Sequence, residues 1–248
     1  SDLALSVHYV TALGTDAFSQ QMLDSWQQEN VNINLIQRMA DRLPGLYYIE
    51  TDDAGERTFY YWRNEAAAKF WLESDRAAAI CEELATFDYL YLSGISLAIL
   101  SPADRTALLQ QLAECRAAGV KIAFDNNYRP RLWENKEAAQ QTYSAMLALT
   151  DIAFLTLDDE FALWGDHQEA QTLARTQALG VGEIVIKRGA VLEGVAVGHH
   201  AVVFHVVQQI AYLASSLQQP ANPLRYLRQV DIDADHRQQL SLPVQYRP

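Results

Sequence analysis

Basic residues are scarce in this chain: 19 Lys and Arg stand against 31 Asp and Glu among 248 residues, a formal net charge of −12. So acidic a surface argues against nucleic acid or an anionic membrane as the main partner, and an anionic small molecule can bind only where a few arginines converge. Long hydrophobic runs are also missing. Half of the residues are apolar, yet no run approaches the ~18 uninterrupted apolar residues of a membrane-spanning helix. Cysteine is limited to Cys81 and Cys115, both in helix-like segments and without metal-ligand spacing. That excludes a disulfide framework and leads us to expect two reduced, buried thiols in a cytoplasmic protein. The opening Ser-Asp-Leu-Ala-Leu-Ser has neither the basic start nor the apolar core of a secretion signal, and it lacks an initiating Met. His199, His200 and His205 match no zinc spacing, so no metal site is assigned to them.

What is present is a regular alternation of strand-like and helix-like segments from Val7 to Gly189. Strands are expected at Ser6 to Ala12, Val31 to Ile36, Asp88 to Leu92, Val120 to Phe124, Ile152 to Leu155 and Glu183 to Lys187. One helix is expected to open at Gly14-Thr15-Asp16 and run to about Glu29, with others from about Ser74 to Ala85, Glu137 to Leu149, Asp158 to Trp164 and Glu169 to Leu179. A further helix opens at Ser101-Pro102-Ala103-Asp104 and stops near Gly119. Strands separated by helices need crossover connections, hence a largely parallel sheet with helices on both faces. In such α/β sheets ligands lie beyond the carboxyl ends of the strands. The polar residues there are Ser93, Asn127, Arg129, Thr156, Asp158, Asp159, Lys187 and Arg188. Trp62, Trp71, Trp133 and Trp164 are expected to be packing residues.

One segment breaks the rhythm. Leu46 to Ala68 has two aromatic, β-branched runs around Asp52-Asp53-Ala54-Gly55-Glu56, and it reads as a β-hairpin. Alternation puts Tyr61 and Arg63 on one face, with Tyr47 across the hairpin. An aromatic floor beside a guanidinium suits a small hydroxylated ligand with a carboxylate, because the guanidinium fork matches two carboxylate oxygens. The plainer alternative is an amphipathic hairpin packing its aromatics on a core.

The stretches VHYVTALGTDAFSQQML, RLPGLYYIETDDAGERTFYYWRNEAAAKFWLES, DYLYLSGISLAILSP, FDNNYRPRLW, DIAFLTLDDEFALWG and VIKRGA together resemble the ribokinase-like carbohydrate kinases, in particular the branch that acts on 2-keto-3-deoxygluconate. The likeness spans about residues 7 to 190. It implies a doubly wound α/β domain over 1–190 with a small β lid, to which the hairpin at about 46–63 contributes. It also implies transfer of the γ-phosphoryl group of ATP, with Mg²⁺, to the C6 hydroxyl of a sugar acid. By this resemblance Tyr47, Tyr61, Arg63 and Arg129 contact the substrate. Asn127, Arg129, Lys187, Arg188 and Gly189 line the nucleotide site. Thr156 and Asp159 stand where the family has an Asn-x-x-Glu motif that orders Mg²⁺ and phosphates. Relatives often assemble through their lids, so a homo-oligomer is expected.

The resemblance stops at Ala190. Residues 191–248 contain no Lys and two glycines, Gly194 and Gly198, and are treated as a separate tail. The family's Asp-Thr-x-Ala/Gly-Ala-Gly-Asp motif, which forms the phosphate anion hole and supplies the base, does not occur there, so the base role is given to none of Asp231, Asp233 and Asp235. The family's first strand and its Gly-Gly-Asp motif would precede Ser1, and a sheet without that strand is expected to leave an exposed edge or face unless the tail fills it. Two alternatives therefore stand beside the kinase: a sugar-acid binder or oligomerisation partner that does not turn over, and a kinase for fructose or ribose. Two arginines around one neutral sugar disfavour the latter.

Overall fold

The computed structural model describes residues 6–52 and 57–187. The tip of the hairpin, Arg188, Gly189 and the tail at 191–248 lie outside the described residues. In chain order the elements begin with β1 (Val7–His8), β2 (Thr11–Gly14), α1 (Ala17–Gln28), β3 (Val31–Asn32) and β4 (Ile36–Met39). The hairpin strands follow as β5 (Leu46–Thr51) and β6 (Arg57–Trp62), and then a 3₁₀ segment over Ala67–Glu73 leads to α2 (Ala77–Leu84). The remainder is β7 (Tyr89–Ser93), α3 (Gly94–Ala98), α4 (Pro102–Ala117), β8 (Lys121–Asp125), α5 (Lys136–Leu149), β9 (Ile152–Thr156), α6 (Leu157–Trp164), α7 (Glu169–Ala178) and β10 (Glu183–Lys187).

The expected parallel sheet is present. β7, β8, β9 and β10 pair in that order, every pair parallel. The strands of this sheet carry apolar residues on both faces. Ile122, Phe124, Ala153, Leu155, Ile184 and Ile186 join the main core with Leu108 and Leu112 of α4, Tyr143, Met146 and Leu147 of α5, and Leu163 of α6. The alternate residues Ala123, Ile152, Phe154 and Val185 form a second cluster with Tyr89 and Tyr91. β2 shows the same two-sidedness. Its Ala12 enters the main core, while Leu13 packs with Ile36 under Leu23 of α1.

Local chemistry sets the helix boundaries. Asp16 caps α1 by accepting from Ser19 N at 3.0 Å, and Ser101 caps α4 from Asp104 N at 3.2 Å with Pro102 in the first turn. Asn135 caps α5 from Ala138 N at 2.7 Å. Gly119 at φ 103° and Gly180 at φ 90° supply the left-handed turns after α4 and α7.

Several expectations need correction. The single strand at 6–12 is two short ones, β1 paired with β3 and β2 paired with β4. Between them Tyr9 turns outward to meet Trp26 edge-on, with ring centroids 4.9 Å apart, and Val10 turns toward the core. The strand at 31–36 likewise divides into β3 and β4 around a turn in which Asn34 N donates to Asn32 Oδ1. Gly14 ends β2, and the helix expected to open at Gly14-Thr15-Asp16 begins at Ala17 after the Asp16 cap; a side chain at position 14 would lie 2.2 Å from Arg42 O. The helix expected from Ser74 begins at Ala77, and α3 was not foreseen.

Candidate functional site

The hairpin realises the predicted grouping. Tyr47 lies directly opposite Tyr61 in the antiparallel register, with ring centroids 6.4 Å apart. Arg63 follows β6 and sets its guanidinium carbon 4.2 Å above the Tyr61 ring, a cation–π contact. Tyr47, Tyr61 and Arg63 thus form one aromatic and cationic group. The hairpin does not pack its aromatics on a core: Tyr47 is 60% exposed and Tyr61 45%. Nor is Trp62 a packing residue, since it is 60% exposed. It lies opposite Leu46 on the other face, beside the exposed pair Tyr48 and Tyr60. Trp71 and Trp133 are buried as expected, and Trp164 packs partly buried against the core.

The second group sits at the carboxyl ends of β8, β9 and β10. Beyond β8 the chain runs Asn126, Asn127, Tyr128, Arg129. Asn127 takes a φ of 31°, a left-handed conformation that Asn tolerates better than most residues. The Tyr128 amide donates to Asp159 Oδ2 at 3.1 Å. Arg129 Nη1 donates to Tyr128 O at 2.8 Å and faces Asp159 Oδ1 at 3.4 Å, with about half of the side chain exposed. Arg129 is thus engaged in an ion pair that leaves guanidinium surface in solvent. Burial pushes the Asp159 carboxyl upward, opposed first by the charge of Arg129 and then by the Tyr128 amide.

Lys187 closes β10 with its ammonium 2.8 Å from each carboxylate oxygen of Asp125, and both side chains are largely buried. Its charge is thus partnered at the rim instead of being displayed to solvent. Arg188 and Gly189 fall outside the described residues. The predicted residues accordingly form two groups on different elements: Tyr47, Tyr61 and Arg63 on the hairpin, and Asn127, Arg129 and Lys187 on the rim of the sheet.

Sequence reasoning missed the residues beneath the rim. Asn126 and Glu160 have no exposed surface, and Asn126 Nδ2 donates to Glu160 Oε1 at 2.9 Å. Arg175, on α7, donates to Glu160 Oε2 at 2.9 Å and also to Asp166. Asp125 and Asn126 sat in the quoted FDNNYR cluster, and Glu160 in the acidic first turn of α6. Nothing in the sequence linked them to Arg175 on another helix. Among the described residues no group of three or more His, Cys, Asp or Glu side chains is placed to hold a metal ion.

Comparison with known proteins bears on the family and the fold. The pfkB family carbohydrate kinase model matches residues 1–211. The chain is 72% identical over 187 residues to 2-dehydro-3-deoxygluconokinase of Escherichia coli (strain K12), covering 75% of this chain and 60% of that protein. The chain therefore spans about 60% of the length of the curated relatives it matches. Among solved structures, a PfkB protein from Polaromonas sp. JS666 superposes with a TM-score of 0.67 at 23% identity, covering 76% of this chain and 62% of that one. Fructokinase from Xylella fastidiosa with bound ATP does so with a TM-score of 0.59 at 24% identity, over 76% and 58%. At such identities these two likenesses concern the fold. The family match and the close relative go further, and the chain belongs to the pfkB family of carbohydrate kinases.

Proposed function

We propose that this chain carries the substrate-selecting part of a kinase that transfers the γ-phosphoryl group of ATP to the C6 hydroxyl of 2-keto-3-deoxygluconate. The observation that carries the reading is the Tyr47–Tyr61–Arg63 group on the hairpin, which has the chemistry for a hydroxylated carboxylic acid, in a chain 72% identical to a kinase named for that substrate. In this reading the two tyrosines form a platform under the sugar and Arg63 takes its carboxylate bidentately. Arg129 reaches toward substrate and phosphate with its exposed guanidinium, and Asn127 toward the phosphates of ATP. Lys187, Arg188 and Gly189 belong to the nucleotide side, where Lys187 contributes by anchoring the end of β10 to Asp125.

Mg²⁺ accompanies the nucleotide. This ion keeps several waters and few carboxylates, and Asp159 fits such a role only through water, since one of its oxygens accepts the Tyr128 amide and the other faces Arg129. Phosphoryl transfer needs positioning and cations more than covalent chemistry, and the residues named here supply both. No residue of this chain is proposed as the base. We place 1–190 as the kinase domain and 191–248 as a distinct tail. We also place the protein in the cytoplasm, in keeping with its two free cysteines among the described residues, and assign it a homo-oligomer that meets through the Leu46, Tyr48, Tyr60 and Trp62 face of the hairpin.

Calorimetric titration of 2-keto-3-deoxygluconate into the chain and its Arg63→Ala variant tests this. Loss of a charge-assisted hydrogen bond costs about 1.5–3 kcal/mol, so affinity is expected to fall at least roughly tenfold with the circular dichroism spectrum unchanged. Equal affinities would overturn the assignment, as would tighter binding of neutral fructose. A second reading, a sugar-acid binder without turnover, is favoured by the lack of any Gly-x-Gly or Ala-Gly-Asp sequence after Ala190. Binding without coupled ATP consumption would select it.

A further inference from the structure

Asn126 uses every polar atom it has. Its backbone N–H donates to Phe154 O at 3.0 Å, and its carbonyl accepts from the Tyr143 hydroxyl at 2.5 Å. Its side-chain Oδ1 accepts from Asn127 N at 2.8 Å and from Thr156 N at 3.0 Å. Its Nδ2 donates to Thr156 O at 3.0 Å and to Glu160 Oε1 at 2.9 Å. One amide orientation alone satisfies these partners, because a flipped amide would set Nδ2 against two N–H donors and Oδ1 against a carbonyl and a carboxylate. Asp cannot replace it, for a carboxylate has no donor for Thr156 O or Glu160.

The parts around it are fixed in turn. Glu160 is held between Asn126 and Arg175, and Arg175 is held by Asp166 and lies 4.5 Å over the Trp164 ring. Burial pushes the Tyr143 hydroxyl upward, so it stays a donor. Gly94 leaves room for this contact: a Cβ there would sit 2.1 Å from Asn126 O and 1.8 Å from the Tyr143 hydroxyl. Asn126 therefore joins the ends of β8 and β9 to the first turn of α6, and it also pulls back the amide of Asn127, the residue at φ 31° that opens the rim loop. A buried Asn with a purely structural duty would need only its bonds across the strands. This one has an additional bond into the loop.

We propose that Asn126, fixed by Tyr143, Glu160 and Arg175, is a positioning residue that presets the backbone of Asn127, Tyr128 and Arg129 for the anionic part of the ligand. The proposal rests on the reading of that loop as part of the substrate and nucleotide site. Its test compares wild type, Asn126→Ala and, as a control destabilised elsewhere, Leu23→Ala in the satellite cluster under α1. All are measured at a temperature where circular dichroism shows each fully folded. Hydrogen exchange is read at the amides of Asn127 and Tyr128, and calorimetry gives the affinities for 2-keto-3-deoxygluconate and a non-hydrolysable ATP analogue.

Asn126→Ala is expected to speed exchange at both amides at least tenfold and to weaken at least one ligand about tenfold, whereas Leu23→Ala lowers the melting temperature and changes neither. Pairing Asn126→Asp with Glu160→Gln reverses the direction of one hydrogen bond, and is expected to recover part of the protection that Asn126→Asp alone loses. Unchanged exchange in Asn126→Ala overturns the proposal, and so does faster exchange with unchanged affinities, which would leave Asn126 a structural residue. If the wild type binds neither ligand, the functional reading fails, and exchange with its rescue alone decides whether Asn126 positions the loop.

Discussion

Glu160 has no exposed surface, and burial pushes its carboxyl from the usual 4.5 up to about 6, against the Asn126 hydrogen bond and the Arg175 charge that pull it down. The folded chain thus holds this proton more tightly than the unfolded chain does. The resulting stability, about 2 kcal/mol, is fully present below pH 4.5 and is lost as pH rises through 6. Asp159 is raised by burial as well and acts in the same direction. Asp16 and Glu134, both lowered first by side-chain hydrogen bonds from Ser19 and Arg105 respectively, act in the opposite direction as acid is added. A carboxyl-carbon NMR titration is expected to give Glu160 a midpoint near 6. Glu160→Gln should flatten that group's share of the pH dependence between 4.5 and 6. A midpoint at or below 4.5 would show that Arg175 outweighs the loss of water.

On the scale of elements, the hairpin separates what sequence makes legible from what it does not. Period-2 alternation placed Tyr61 with Arg63 and set Tyr47 across from them, because strand geometry is local and the register of a hairpin follows from its turn. The four strands of the sheet and the Ser101-Pro102 start of α4 were legible because their signals are also local, whereas α1 was expected to open at Gly14-Thr15-Asp16 and begins at Ala17. Burial was not: an aromatic run is equally compatible with a packed face and a free one, so Trp62 was expected inside and stands 60% exposed. The Asn126–Glu160–Arg175 contacts were illegible because they join three elements across the core. Leu46, Tyr48, Tyr60 and Trp62 present an apolar ladder to solvent on the face away from Arg63, a surface suited to a second copy of itself. Trp62→Glu is expected to convert the proposed homo-oligomer to monomer in light scattering while leaving sugar-acid affinity within about twofold, since buried charge at a self-complementary contact is strongly unfavourable. A wild-type chain that is already monomeric would refute the contact.

At the scale of the molecule the deciding feature, among the described residues, is one main core reaching from Ala12 to Ile186, with α4, α5 and α6 packed on the sheet. Met146, with no exposed surface, lies within it. Met146→Ala is expected to destabilise by about 2–5 kcal/mol, and to lower a single thermal transition instead of splitting it. Two separated transitions in calorimetry would show that the core is not one cooperative unit. The order of the sheet carries a further consequence, for how the chain finds its fold. β7, β8, β9 and β10 are neighbours in space in the order in which they occur along the chain, each joined to the next by a crossover containing helix. Parallel pairing is slow when distant segments must meet, but here each strand needs only its immediate predecessor. The sheet can therefore lengthen one strand and crossover at a time as the chain leaves the ribosome, with β8 and β9 already side by side to receive Asn126 before β10 and Lys187 emerge to reach Asp125.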